Sequence, residues 1–118
     1  MIVKNIETAD CEILNTEIYQ DRMIITFSFV YDISRNSYVK DVSLIITKWS
    51  QFEAKIFISN GPNDVSKERK LSYQTLEYFE NIQVISTDND RLILQGFSKD
   101  SGHWLEYIFL NSVFYFKE

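Results

Sequence analysis

Two side chains in this sequence could form a nucleophilic pair, the only cysteine, Cys11, and the only histidine, His103. A thiol becomes reactive when an imidazole beside it accepts its proton, so such a site would require the two side chains to be in contact. Cys11 lies in a predicted strand whose neighbours suggest no reactive site. His103 lies near Asp100 in a predicted loop, where we expect the imidazole to be solvated. With no Gly-x-Ser-x-Gly element to present a serine nucleophile, we predict no catalytic residues and no enzyme.

Metal and cofactor sites are not indicated either. Asp88-Asn89-Asp90 is similar to the opening of a calcium-binding loop, but Ile93 and Lys99 occupy the positions where that loop needs glycine and glutamate. One cysteine and one histidine are too few for a structural zinc site. None of the three glycines begins a phosphate-binding motif. We therefore predict no cofactor and no metal.

The composition indicates one strand-rich domain. The chain has 118 residues, which is the size of a single domain over residues 1–118. It contains only two alanines, whereas β-branched and aromatic residues, which pack well on a pleated sheet, are plentiful. The predicted fold is mainly β, with antiparallel meander sheets forming a small sandwich or a partly open barrel, and with at most one or two short helices.

The charge of the chain bears on its partner. The net charge is −5, which argues against nucleic acid as a ligand because phosphate binding depends on clustered lysine and arginine. The imbalance is concentrated in residues 71–118, which contain seven acids and three bases. An acidic surface suits a basic protein partner. The alternative is that the charge only maintains solubility.

Targeting signals are also not indicated by the sequence. Lys4 and Glu7 interrupt the N-terminal stretch too early for a signal peptide. The longest nearly apolar stretch, residues 23–31, is far shorter than the ~20 residues that a membrane helix needs. A single cysteine allows no internal disulfide and gives no sign of an oxidising compartment. We predict a cytoplasmic protein that does not bind membranes.

Alternating apolar residues predict strands in the first half of the chain. Three sets share strand faces: Met23, Ile25, Phe27, Phe29 and Tyr31; Val42, Leu44 and Ile46; and Phe52, Ala54, Ile56 and Ile58. A more polar strand over residues 11–20 joins the first set through a turn near Gln20-Asp21. Loops are predicted at residues 34–37 and 59–64. Residues 65–81 fit either a short helix capped by Ser72 or an extended segment.

The most regular alternation lies near the C-terminus. Residues 91–97 and 104–110 are predicted to pair as an antiparallel hairpin, with Phe97 opposite Trp104 and Gln95 opposite Glu106. Gly96 lies inside this pairing and is interpreted as structural.

A third strand is predicted to come after this hairpin. Asn111-Ser112 is interpreted as a two-residue turn, after which residues 113–117 would pair with residues 104–110 and place Lys117 opposite Glu106.

This register separates an apolar face from a mixed one. The apolar face is assigned to the core and consists of Leu92, Leu94, Leu105, Tyr107, Phe109, Phe114 and Phe116. The candidate binding residues on the opposite side, which we call the mixed face, are Gln95, Phe97, Trp104, Glu106 and Tyr115. Tryptophan and tyrosine are enriched in interface hot spots because they bury a large area while keeping a polar group. The alternative is that another sheet or residues 65–81 cover this face.

A second candidate feature is a group of acids, which we call the acid set: Glu77, Glu80, Asp88, Asp90 and Asp100. Only Arg91 and Lys99 balance these charges locally. The acid set is predicted to contact a basic partner, and the alternative is a solvated rim.

One stretch of the sequence resembles a known class of proteins. The residues that carry the resemblance are Leu92-Ile93-Leu94-Gln95-Gly96-Phe97, then Gly102-His103-Trp104-Leu105-Glu106-Tyr107, with Trp49 upstream. This stretch is similar to small β-rich immunity proteins of bacterial toxin systems, including those of contact-dependent growth inhibition. The resemblance implies a cytoplasmic antitoxin that binds and blocks a cognate toxin domain, often a nuclease. These immunity proteins share no catalytic motif, so the resemblance assigns no functional residue. Two other classes stay open: a small-ligand-binding β barrel with rings lining a cavity, and a structural subunit that self-associates.

Overall fold

The computed structural model describes residues 2–3, 5–59 and 67–118. Within this part of the chain the ordered elements are all strands: β1 (Ile2–Val3), β2 (Ile6–Glu7), β3 (Ile13–Ile18), β4 (Arg22–Asp32), β5 (Ser37–Thr47), β6 (Gln51–Ile58), β7 (Lys67–Leu71), β8 (Phe79–Asp88), β9 (Arg91–Ser98), β10 (Trp104–Leu110) and β11 (Val113–Lys117). They form two antiparallel sheets that pack together without closing into a barrel, which confirms the predicted small sandwich. Among these residues there is no helix long and apolar enough to cross a membrane.

Each sheet contributes its apolar side to one core. The first sheet has the order β1-β11-β5-β4-β2, with β3 also paired to β4, and the second has the order β7-β6-β10-β9-β8. The largest fully buried side chains come from both sheets and include Phe27 and Met23 from the first and Tyr107 and Phe109 from the second. The two sheets can bury these faces only against each other, which fixes the outer surfaces of the sandwich.

Two of the predicted connections between strands, β3–β4 and β4–β5, are confirmed. The Tyr19 amide donates to the Arg22 carbonyl across 2.8 Å and closes the β3–β4 turn. The β4–β5 connection lies between Asp32 and Ser37, and Asn36 takes a positive φ of 52° there.

The single face predicted for alternate residues of β4 is correct only in its first half. Met23, Ile25 and Phe27 are fully buried, but Phe29 is 36% exposed and Val30 is buried in its place. In the paired strand β5, the alternation of buried and exposed residues shifts by one residue at the same level, where Asp41 has a positive φ of 56°. One residue in the left-handed region turns β5, and the buried face of its partner β4 changes at the same level, so Phe29 and Tyr31 do not share the face of Met23.

The predicted position of β11 is wrong. β10 already pairs with β9 along one edge and with β6 along the other, so it has no free edge for a third neighbour. β11 instead crosses to the first sheet, where it pairs with β5. Consequently Glu106 lies opposite Lys55 of β6 and not opposite Lys117.

This crossing also changes the assignment of two rings to the core. Phe116 packs on the core from the first sheet, with its ring 6.4 Å from that of Phe27. Phe114, which was predicted to be buried, is 36% exposed.

The alternatives for residues 65–81 are resolved where the structure describes them. β7 is extended, and it is followed by a turn. In this turn the Thr75 amide donates a hydrogen bond to the Ser72 carbonyl across 3.1 Å. β8 then begins at Phe79, so the predicted helix does not form between residues 67 and 81. Residues 60–66, which include most of the loop predicted at 59–64, lie outside the described residues.

Candidate functional site

Four of the five residues of the mixed face lie together on the outer side of the second sheet. Phe97 pairs with Trp104, and Gln95 pairs with Glu106, which confirms the predicted hairpin register. The Phe97 and Trp104 rings meet edge to face, with centroids 5.1 Å apart. Phe97 is 44% exposed, and Trp104 is half-buried. A large aromatic pair on an open sheet surface is a feature of protein-binding sites.

Tyr115 does not belong to this group. It lies on β11, opposite Ile45 in the first sheet, and therefore on the other side of the sandwich from Trp104. The error results directly from the wrong pairing of β11.

A polar network lies beside the two rings and orders this surface. The Gln95 side-chain amide donates to Glu106 Oε1 across 2.9 Å. Lys55 Nζ lies 3.4 Å from Glu106 Oε2 and 2.7 Å from Glu68 Oε1. The hydrogen bond with Glu68 is the main cause of the raised pKa of Lys55. Glu106 is only 8% exposed, and engaging both of its oxygens offsets the cost of removing this carboxylate from water.

Phe97 and Trp104 border an open depression of about 710 Å³, which we call the ring depression. Its lining residues are Phe57, Ser59, Gln95, Phe97, Gly102, His103 and Trp104. The volume lies within the range of roughly 300–1,000 Å³ that is usual for binding clefts.

The sequence did not predict the contributions of Phe57, His103 or Lys55 to this surface. Phe57 is the cross-strand partner of Trp104, and Lys55 is that of Glu106, but both lie on β6, far away along the chain. Hydrophobic alternation reports which face of a strand is buried but does not report which distant strand lies beside it. His103 was interpreted as a solvated loop residue, but it is half-buried and lines the depression from its position directly before β10.

Glu77 orders the loop that carries His103. Glu77 is only 9% exposed, and its Oε1 accepts hydrogen bonds from Ser98 Oγ at 2.6 Å and from Ser101 Oγ at 2.5 Å. The Tyr107 hydroxyl donates to the Glu77 carbonyl. The Ser98 amide in turn donates to the His103 carbonyl across 2.8 Å and closes the loop. Glu77 is therefore an internal organiser of the β9–β10 loop and not part of an exposed acidic surface.

The other members of the acid set are divided between the two ends of the second sheet. Asp88 and Asp90 lie at the β8–β9 turn, whereas Asp100 lies in the β9–β10 loop. These ends are separated by the length of β9, about 23 Å at ~3.3 Å per residue. Glu80 is exposed near the same end as Asp100. The acid set is thus not one patch, and Asp100 accepts a hydrogen bond at 2.9 Å from the Tyr78 amide.

Asp88 is further engaged by a neighbour, because Arg91 Nη2 lies 2.6 Å from its Oδ2. Asp90 keeps its exposed side chain at the tip of the turn.

The one cysteine of the chain lies in the core and not beside a reactive group. Cys11 is 3% exposed, and burial raises the pKa of its thiol, which keeps it protonated at neutral pH. Within the described ranges, no group of three or more histidine, cysteine, aspartate or glutamate side chains is placed to hold a metal ion.

Comparison with known proteins does not assign this chain to a family. No protein-family model matches it, and neither does a curated protein or a solved structure. A functional assignment therefore depends on the resemblance of residues 92–107 and on the geometry of the ring depression.

Proposed function

We propose that this protein is an immunity protein that acts in the cytoplasm and neutralises a cognate toxin domain by binding it directly. The ring depression is the proposed contact surface, with Trp104 as the anchor. The single observation that carries the proposal is the exposed Phe97–Trp104 pair beside an ordered polar network. Hot spots typically combine a central ring with polar neighbours whose positions are already fixed before binding.

The residues that carry the resemblance to immunity proteins lie at the same surface, although the resemblance itself assigns no functional residue. The residues that carry it, 92–97 and 102–107, form β9, β10 and the loop between them, and these elements contribute most of the lining of the ring depression. The net charge of −5 favours a basic partner, such as a nuclease domain that itself grips nucleic acid.

The two other classes receive less support. A ligand-binding barrel would need rings around an interior cavity, but the interior rings pack on one another, with Phe79 and Tyr107 centroids 4.7 Å apart. Self-association through the ring depression would bring together copies that each carry a net charge of −5, which opposes it.

The test is a binding measurement with the toxin domain that, under this proposal, the gene directly upstream is expected to encode. Trp104→Ala is expected to weaken binding by about 2 kcal/mol or more, roughly thirtyfold, mainly through faster dissociation. Association of the wild-type protein is expected to slow as salt concentration rises, because salt screens the attraction between opposite charges.

Tyr115→Ala is the matched control, since it also removes a partly buried ring but on the opposite side of the sandwich. It should leave the affinity within about threefold of wild type, the scale of a residue outside the hot spot. Equal effects of the two substitutions, with both variants folded, would contradict the assignment of the surface. A wild-type protein that neither binds nor protects against this toxin would contradict the proposed function.

A further inference from the structure

β8 is an edge strand with an open segment. Among the described residues it pairs with β9 only, whereas the opposite edge of the same sheet is β7. β7 is short and carries four consecutive charged residues, Lys67, Glu68, Arg69 and Lys70, a composition that discourages pairing with another chain. β8 has no such run of charges, and its second half is Val84-Ile85-Ser86-Thr87-Asp88.

The two halves of β8 differ in their surroundings. In the first half, Thr8 Oγ1 donates to the Ile82 carbonyl across 2.9 Å, and Gln83 Nε2 donates to Asp10 Oδ1 across 3.2 Å. The second half has exposed or half-exposed residues throughout. Asp88 and Arg91 flank a two-residue turn, so their backbone groups form a hydrogen-bonded pair of the antiparallel ladder. Hydrogen-bonded and non-hydrogen-bonded pairs alternate along such a ladder, so the backbone N–H and C=O groups of Thr87 and Ile85 point away from β9.

A groove of mixed polarity runs beside this open segment. It has a volume of about 250 Å³ and is lined by Ile6, Glu7, Thr8, Ile33, Gln83, Val84 and Ile85. Ile33 is 56% exposed and Val84 is 41% exposed. Free backbone groups and an adjacent groove are the two features that an added strand requires, since the backbone supplies hydrogen bonds and the groove receives alternate side chains.

The charges along the groove indicate what kind of strand fits. Glu7 lines it, and Asp10 is held against it by Gln83. The edge strand β8 itself contains no lysine or arginine, and Arg91 across the turn is already paired with Asp88. A second copy of this edge would bring carboxylates against carboxylates, whereas a basic strand would neutralise them.

We propose that the second half of β8 docks an extended segment of another protein, in which basic and apolar residues alternate, as a sixth strand of this sheet. The basic side chains enter the groove, where they meet Glu7 and Asp10, and the apolar side chains alternate to the other face of the added strand, on the side of Val84. This surface is separate from the ring depression and does not depend on the proposed immunity function.

The experiment is amide hydrogen exchange on the full chain by NMR, with and without a heptapeptide that alternates lysine and valine. In the free protein, the amides of Ile85 and Thr87 should exchange rapidly because they point outward. With peptide at about ten times its dissociation constant, exchange at these two amides should slow about tenfold, because only the unbound fraction exchanges. A heptapeptide that alternates glutamate and valine should give no protection.

Two variants make the test specific. Thr87→Pro removes only an amide that points outward, and an edge strand tolerates proline at such a position. This substitution should abolish the protection of the Ile85 amide by the peptide, while the β9 amides remain protected. Trp104→Ala should leave peptide binding unchanged, which separates strand docking at β8 from toxin binding at the ring depression.

Three results would overturn the proposal: no protection by the lysine–valine peptide, equal protection by the glutamate–valine peptide, or protection that rises with protein concentration in the absence of peptide. The last result would identify a second copy of the chain as the occupant.

Discussion

Replacing Gly96 with alanine should destabilise the fold by a steric mechanism that can be read from one short approach. A Cβ at Gly96 would lie 2.0 Å from the carbonyl oxygen of Asn81, 3.0 Å from its carbonyl carbon and 3.0 Å from the Cα of Ile82. All three are backbone atoms of β8, which is irregular on both sides of Ile82 and passes close over Gly96. No rotamer change can relieve this overlap, so β8 must move by more than about 1 Å to restore an ordinary contact distance of about 3.4 Å.

The size of the effect is set by two opposing contributions. Forcing extra atoms into a packed site costs typically about 1–3 kcal/mol, and a clash with backbone belongs at the upper end, about 3 kcal/mol. Alanine also reduces the freedom of the unfolded chain, which offsets about 0.5–1 kcal/mol of that cost. We expect a net loss of about 2 kcal/mol in the free energy of unfolding. For a chain of this length, this corresponds to a fall of roughly 8 °C in Tm.

Gly102→Ala is the matched control, because it makes the same substitution at a position with no atom within 4 Å of the new Cβ. Its φ of +77° still disfavours alanine, which should cost about 1 kcal/mol through backbone strain alone. Urea denaturation followed by tryptophan fluorescence gives both values, and hydrogen exchange should show weakened β8–β9 pairing only in Gly96→Ala. If Gly96→Ala unfolds within about 0.5 kcal/mol of wild type, or costs less than Gly102→Ala, the close approach of β8 does not have the assigned effect.

Three further predictions concern buried polar groups. Glu77→Ala should lower the free energy of unfolding by about 3 kcal/mol because two serine hydroxyls lose a charged acceptor. Glu77→Gln keeps an acceptor and should lower it less. Equal losses of the two variants in urea denaturation would contradict the role of the carboxylate. Tyr107→Phe should cost about 1 kcal/mol, the value of its single hydrogen bond to the Glu77 carbonyl, and a loss above about 3 kcal/mol would indicate that the ring itself had moved. Burial raises the pKa of Cys11 in the folded state above its value in the unfolded state. The stability linked to the protonated thiol is therefore present below the unfolded pKa and is lost as pH rises above it. The stability of wild type relative to Cys11→Ala should decline between about pH 7 and pH 10, and a constant difference would contradict this.

The parts of this fold that could be predicted are those set by neighbouring residues. The β9–β10 hairpin joins strands that are adjacent in sequence, and its alternation allows only one register without exposing Leu94 or Tyr107. The same reasoning failed for β11, because nothing local indicates that β6 has already taken the second edge of β10. The pairing of β6 with β10 is long-range, and only the assembled sheet determines it.

The candidate site shows the same limit in side-chain terms. Four residues of the mixed face were placed together correctly because the register of a hairpin determines its cross-strand pairs. They are Phe97, Trp104, Gln95 and Glu106. Glu77 was interpreted as a surface acid because composition and local charge do not reveal that Ser98 and Ser101 will enclose its carboxylate. Buried polar networks are specified by tertiary geometry, so a sequence pattern alone cannot separate them from solvated charges.

The two proposed surfaces lie on one sheet, and this arrangement has a consequence for how a partner binds. Gln95 contacts Glu106 beside the ring depression, and its cross-strand neighbour on β8 is Val84, which lines the edge groove. A strand added to β8 would lie three strand spacings from β10, about 15 Å from the line of Trp104. One protein domain can span that distance, so a single toxin could contact both surfaces. If it does, Thr87→Pro and Trp104→Ala should each weaken the same complex, and their effects should add because the two positions are too far apart to couple. If the surfaces serve different partners, Thr87→Pro should leave toxin binding unchanged while still abolishing the protection by the lysine–valine peptide.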